Sequence, residues 1–353
     1  MWHDSIRDLR GEYLIVRLQW SLCASVLALV TLSCLPALRT KIAKAGDTDP
    51  ADQLIEQGNR DLAFQKFEDA VKAFEKANKL RHGECGTCYI GAAVAERNLA
   101  EFGDALKNCD RALACATNDA DRVACHIAKG ETLQQSATDP KRLKSAESEY
   151  RTALQLDQKS GLAHFKLGIL LLLESEVTEG TQELQTYLVL QPTGTYATYA
   201  RKVIAQPKHA GQELAPDLTF QTLDRKTISL VQFSGRVVVM DFWATWCTPC
   251  VSSVNELKEL TKKYPSSQLA LISISADQDQ TAWRNFIAKK DMDWPQYWDS
   301  DGRIRNAFGV RAFPTYIVID RDGFIDRQIV GLNPMQSVVF RLKDALSTML
   351  SQE

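Results

Sequence analysis

The 353-residue chain has no excess of either charge. Its 42 lysines and arginines face 44 aspartates and glutamates, a formal net charge of -2, so nothing in the balance recommends a nucleic-acid partner. Proline is scarce between Asp52 and Ala205, which excludes a strand-and-turn architecture there and leaves helices. Histidine is missing where two chemistries would need it. Tyr89 follows Cys85-Gly86-Thr87-Cys88 at the place a covalent haem site requires His, and no second ligand pair stands at zinc spacing from that motif. No metal and no bound cofactor is therefore expected. The nine cysteines are an odd number, so complete pairing leaves one over.

What is present divides the chain into three parts. Residues 1–45 read as a targeting or anchor segment. Leu18 to Leu38 carries no charged residue and follows Arg7, Arg10 and Arg17, with Asp4, Asp8 and Glu12 interspersed. That pattern suits a cleaved signal ending near Ala43-Lys44-Ala45, a retained membrane helix, or an acylated cysteine at Thr31-Leu32-Ser33-Cys34. Each of these exports the remainder, whose composition is that of a soluble globular protein.

Residues 51–205 are rich in Ala, Leu, Glu and Lys, and they repeat. Ala70-x-x-x-Phe74-x-x-Ala77 recurs as Ala105-x-x-x-Cys109-x-x-Ala112, as Ala146-x-x-x-Tyr150-x-x-Ala153 and, more weakly, as Gly180-x-x-x-Leu184-x-x-Tyr187. A small residue lies upstream of each, at Gly58, Ala93, Gly130 and Gly168, where two antiparallel helices would approach closely. The pattern resembles tetratricopeptide repeats, whose helix-turn-helix units stack into a solenoid. It implies about four units over residues 51 to 192, an insertion around Ser136 to Lys141, and a closing helix from Thr195 to Ala205. A peptide or partner protein on the concave face is the corresponding expectation. Cys85 and Cys88 open the second unit; they read either as a second redox dithiol or as packing and pairing residues beside Cys109, Cys115 and Cys125.

Residues 206–216 hold two prolines and a glycine and read as a linker. From 213 to 353 the periodicity becomes alternating strand and helix. Strands are predicted near Leu218–Gln221, Ile228–Leu230, Val237–Trp243, Leu269–Ser275, Thr315–Ile319 and Phe324–Ile329, and helices near Pro249–Tyr264, Gln280–Lys289, Ile304–Phe308 and Met335–Leu350. The fold class is thus α plus α/β. Trp246-Cys247-Thr248-Pro249-Cys250 falls where the apolar strand Val237–Trp243 gives way to a helix. A helix N-terminus favours a thiolate, so Cys247 is the candidate nucleophile. Cys250, about one turn further in, is the resolving cysteine.

A parallel pair joined by a helix, then a hairpin closed by a helix, is the thioredoxin arrangement. Phe242-Trp243-Ala244-Thr245-Trp246-Cys247-Thr248-Pro249-Cys250 and Phe308-Gly309-Val310-Arg311-Ala312-Phe313-Pro314-Thr315 resemble the exported TlpA/ResA branch of thioredoxin-like proteins. The resemblance implies a cis Pro314 facing the disulfide, a Phe313 backbone available to an extended substrate, and an Asp241 carboxylate that exchanges a proton with Cys250. Trp246, with Thr248 and Pro249, is expected to contact clients, and Trp243 to be core. Ser252, Ser253 and Asn255 depart from the acidic residues and proline that relatives often carry after the second cysteine, which puts the kink of that helix in question.

The resulting expectation is an exported enzyme, in the bacterial periplasm or on the outer face of the membrane. It would reduce client disulfides, often during cytochrome c maturation, with electrons from a membrane dithiol carrier. Two other classes stand beside it. One is an interaction scaffold with a passenger thioredoxin domain, which has no need of Cys247, Cys250 and Pro314 together. The other is a thiol peroxidase, which would want Thr three residues before its cysteine, where Ala244 stands.

Overall fold

A computed structural model describes residues 49–331 and 338–350. The signal, anchor or acylated-cysteine segment of residues 1–45 lies outside the described residues. Among the described residues no helix is long and apolar enough to cross a membrane. The chain forms two units, Met1–Gly211 and Gln212–Glu353.

The first unit contains nine α-helices among the described residues: α1 Pro50–Ala63, α2 Phe67–Leu80, α3 Gly86–Asn98, α4 Phe102–Cys115, α5 Asp119–Gln135, α6 Pro140–Leu156, α7 Gly161–Leu173, α8 Val177–Leu190 and α9 Ala197–Ala205. Local chemistry starts several of them. Asp49 accepts the Ala51 N–H at 2.9 Å ahead of Pro50, and Asp139 accepts the Arg142 N–H at 3.1 Å ahead of Pro140. Each proline occupies a first-turn position whose N–H would have no helical partner.

Successive helices pair as hairpins, and the anchor residues fill the grooves between them. Phe74 is sandwiched so tightly that a Cβ on Gly58 or on Gly91 would come within 2.8 or 2.5 Å of its ring. Tyr150 stands in the same relation to Gly130, at 2.5 Å. Cys109, the smallest anchor, packs fully buried with Ala93, Ala105 and Ala128. The repeat is also written in the backbone. Gln65, Ala100 and Ser175 take left-handed φ values of 58°, 63° and 67°, and each lies nine residues before its anchor, Phe74, Cys109 and Leu184. The turn after these residues closes with the 6→1 bond of a Schellman motif: Lys66, Glu101 and Glu176 N–H donate to Asp61, Glu96 and Leu171 carbonyls at 2.8 Å. Because an L-residue is strained in that conformation, Ala100→Gly is expected to stabilise the helical unit by up to about 1 kcal/mol, seen as a higher thermal midpoint.

The third hairpin carries its additional residues where the insertion is expected: residues 136–139 connect α5 to α6, one more than the three residues of the other hairpins, and α6 begins ten residues before Tyr150 where α2 and α4 begin seven before Phe74 and Cys109. The greater length of α5, 17 residues, lies upstream of Gly130. The closing helix α9 starts at Ala197, two residues later than predicted.

The segment 206–216 is divided rather than free. Pro207–His209 make a short 3₁₀ turn and the Gly211 N–H donates to the Tyr199 hydroxyl at 3.0 Å, within the first unit. Within the second, Ile325 N–H donates to the Glu213 carbonyl at 2.7 Å and Ala215 N–H to Gly323 at 3.0 Å.

The second unit has a five-stranded sheet of order β5-β4-β3-β6-β7, with β3 Val237–Trp243, β4 Leu269–Ser275, β5 Gln296–Trp298, β6 Thr315–Ile319 and β7 Ile325–Val330. A separate hairpin, β1 Thr219–Gln221 and β2 Thr227–Ser229, precedes it. β3 runs parallel to β4 and antiparallel to β6, and β5 joins parallel to β4. Sequence periodicity missed β5, because three residues are too few to show alternation. The helices are α10 Thr248–Lys263, α11 Gln280–Lys289, α12 Arg303–Ala307 and α13 Val338–Leu350. As the central strand, β3 is buried along its whole length. Its odd-numbered residues Val237, Val239 and Trp243 enter one core with Cys247, Cys250, Leu257 of α10 and Leu346 of α13. Its even-numbered residues Val238, Met240 and Phe242 enter the other, with Ile304 and Phe308.

Candidate active site

The site sits where β3 ends. Cys247 caps α10, and Cys250 lies in the helix's first turn. The two are joined as a disulfide with Cα atoms 5.2 Å apart. Cys247 Sγ accepts the Cys250 N–H at 3.3 Å, a donor the helix would otherwise leave without a partner. The same geometry would hold a thiolate after reduction, because the first-turn N–H groups and the helix dipole both favour negative charge there. Both cysteines are buried, Cys247 at 6% exposure and Cys250 at 3%.

Trp246 is the exposed aromatic beside it, at 64%, and its ring meets Phe313 edge-on with centroids 5.9 Å apart. Thr248 is exposed and Pro249 half-buried on the first turn. The Phe313–Pro314 peptide is cis, and Pro314 is buried ahead of β6. Trp243 is core, 1% exposed.

Asp241 is the charged residue of an otherwise apolar strand. Two-residue alternation turns it to the face that carries Val239, Trp243 and both cysteines. It is 2% exposed, and burial raises its carboxyl from 3.8 to about 7, against the opposing effect of the Ser273 hydroxyl, which donates to Asp241 Oδ2 at 2.7 Å. The Trp294 indole N–H in turn donates to Ser273 Oγ at 2.8 Å. Neither Ser273 nor Trp294 was anticipated. Ser273 had a legible signal, since it interrupts the apolar run of β4, where it is the register partner of Asp241. The distance in sequence to Trp294 hides the rest.

A second group was also missed. Asp277, buried just beyond β4, accepts the Thr245 N–H at 3.1 Å and the Thr245 hydroxyl at 2.7 Å, and also the Ser275 hydroxyl at 2.7 Å. It thereby ties the loop after β4 to the residue two before Cys247. Asp277→Ala leaves the N–H of half-buried Thr245 unpaired and is expected to cost the C-terminal unit about 1–3 kcal/mol, read as a lower denaturant midpoint. The helix itself is continuous despite its unusual composition: Ser252 and Ser253 hydroxyls donate back to the Thr248 and Pro249 carbonyls at 3.0 Å.

Residues 209–343 match the Redoxin family. Thiol-disulfide oxidoreductase ResA of Bacillus thuringiensis subsp. konkukian (strain 97-27) is 35% identical over 117 residues, which are 33% of this chain and 68% of that protein. Thioredoxin-like protein YneN of Bacillus subtilis (strain 168) is 32% identical over 139 residues, 38% of this chain and 79% of the relative. ResA of Geobacillus thermodenitrificans (strain NG80-2) is 26% identical over 136 residues, 38% and 78% of the two chains. Among solved structures, StoA from Bacillus subtilis aligns over 37% of this chain and 97% of its own, with 22% identity and a TM-score of 0.32. With its paired cysteines at a strand-to-helix junction and this similarity to ResA, the chain belongs to the ResA-like thiol-disulfide oxidoreductases of the thioredoxin fold.

Proposed function

We propose that the protein is exported and reduces disulfides of client proteins with the Cys247/Cys250 dithiol, drawing electrons from a membrane dithiol carrier. The observation that carries this reading is the Cys247–Cys250 disulfide at a helix N-terminus, with Cys247 at the cap and exposed Trp246 beside it as an apolar contact. In the reaction, the Cys247 thiolate attacks one client sulphur, the client disulfide breaks, and the departing thiolate takes up a proton. Cys250 then gives its proton to the Asp241 carboxylate and attacks Cys247 Sγ. The second client thiolate leaves, and the Cys247–Cys250 disulfide is the product. The electron pair comes from the dithiol itself, so the step calls for no cofactor. Phe313 and Pro314 would hold an extended client segment beside Cys247, with Thr248 and Pro249 completing the contact.

Export rests on residues 1–45, and a cytochrome c maturation client rests on analogy with the family. The four hairpins, with their matched anchors and turns, suit a tetratricopeptide solenoid that binds a client or partner protein. Direction is the most consequential part of the proposal. No charged residue or histidine between the cysteines stabilises the thiolate further, which favours a reductant. Equilibrating the full chain in dithiothreitol and glutathione buffers, then alkylating and quantifying the Cys247 peptide by mass spectrometry, tests it. A potential near or below about -270 mV is expected, and one near roughly -120 mV would make the protein a disulfide donor instead.

A further inference from the structure

Among the described residues the helical unit holds five cysteines that this chemistry does not use, and three of them lie together. Cys85 and Cys88 are joined as a disulfide at the start of α3, with Cα atoms 5.2 Å apart. Cys85 caps the 13-residue helix, and its Sγ accepts the Cys88 N–H at 3.2 Å, as Cys247 accepts that of Cys250 at 3.3 Å. The Thr87 hydroxyl lies 3.5 Å from the same sulphur, and the Asn78 carboxamide oxygen accepts the Cys85 N–H at 3.2 Å. The third sulphur comes from the end of α4. Cys115 is free and half-buried; its thiol donates to the Gly83 carbonyl at 3.7 Å, and its Cβ is 3.7 Å from where a side chain on Gly86 would begin. Cys115 therefore donates to a residue before Cys85 and lies beside the residue after it in the chain.

As a staple, the Cys85–Cys88 bond achieves little. Stabilisation by a cross-link grows with the length of chain it closes, and this one spans three residues within one helical turn. The other two free cysteines among the described residues are packing residues: burial pushes Cys109 up to about 11 and Cys125 up to about 12. Cys115 alone among the three lies only partly buried.

We propose that Cys85, Cys88 and Cys115 form a second thiol–disulfide exchange site, taking thiols as substrates independently of Cys247 and Cys250. An incoming thiol loses its proton and attacks the Sγ of Cys85, the less buried residue of the pair at 8% exposure against 1% for Cys88. The Cys85–Cys88 bond breaks, and Cys88 leaves as a thiolate that takes up the proton. A dithiol reagent then closes on itself, releasing Cys85; it is oxidised by two electrons and the pair is reduced by two. With a monothiol the mixed disulfide is resolved by the Cys115 thiolate, which displaces the reagent. The cross-link moves from within α3 to between α3 and α4, Cys88 is left free, and the monothiol recovers its proton with no net electron transfer.

The test uses the full chain carrying Cys247→Ser and Cys250→Ser, incubated with millimolar reduced glutathione, quenched by alkylation and mapped by mass spectrometry, with circular dichroism confirming intact helices. A Cys85–Cys115 linked peptide with alkylated Cys88 is expected. Adding Cys115→Ser should remove that peptide and raise the Cys85–glutathione adduct at least tenfold. A Cys85–Cys88 bond that stays closed in both variants overturns the site. An equal yield of adduct with and without Cys115 overturns the three-sulphur arrangement.

Discussion

Cys250→Ser is expected to turn the protein into a trap. The Cys247 thiolate can still attack a client disulfide, but nothing one turn along the helix can release it, so covalent Cys247–client complexes should accumulate on non-reducing gels. Cys247→Ser should lose at least about a thousandfold in client reduction and form no such complex. The asymmetry follows from position in the helix. Cys247 stands at the cap beside exposed Trp246, whereas Cys250 lies within the first turn; both belong to the same core. A scaffold with an idle thioredoxin domain would be indifferent to both changes. If complexes formed equally well through Cys250, the assignment of nucleophile and resolving thiol would have to be exchanged.

Asp241→Asn is expected to stabilise the C-terminal unit in alkaline solution and to slow the release of trapped client. The folded-state carboxyl is raised from 3.8 to about 7, mainly by burial. Below pH 4 it is protonated in both folded and unfolded chains and contributes nothing to their difference. Between pH 4 and 7 the unfolded chain ionises while the folded one does not, so the native state binds more protons and loses stability as pH rises. Above pH 7 the full difference applies, an upper figure of about 4 kcal/mol. Asparagine does not titrate, and its side-chain oxygen can still accept the Ser273 hydroxyl. The unfolding midpoint of this unit should therefore rise in the variant at pH 8 and stay unchanged at pH 4. Client release should change in the opposite sense: in the unmodified protein its rate climbs through pH 7 as the carboxylate becomes available as a base, and that rise should flatten in the variant. A midpoint gain of equal size at both pH values would show that packing, not ionisation, accounts for the change.

Much of this was legible in the residues. The run Val237–Trp243 followed by Cys247-Thr248-Pro249-Cys250 specifies strand, turn and helix locally, because a continuous apolar stretch must be buried on both faces and a proline in the first turn suits a helix start. The anchors Phe74, Tyr150 and Leu184 announced the helical repeat because a bulky residue recurring against a small one is a packing requirement that each unit must meet for itself. Other features could not be read so. Gly91, which presses on Phe74 as closely as Gly58 does, matters only once two hairpins have stacked. That most of the third unit's extra residues fall into the first turn of α6 depends on a competition between loop and helix that periodicity does not resolve.

The amino-acid sequence by itself determined the order of the elements apart from β5, the place of Cys247 and Cys250 at a strand-to-helix junction, and the family. Those rest on contacts between residues close in the chain, or on a pattern compact enough to recognise. Only the tertiary structure decided the surroundings that set their chemistry: Trp294 and Ser273 behind Asp241, Asp277 behind Thr245, and Cys115 beside the Cys85–Cys88 turn. In each case the partners lie between 21 and 32 residues apart. Hydrogen bonds and thiol contacts at that separation leave no periodic trace, because a single polar side chain reads the same whether it meets water or a buried partner.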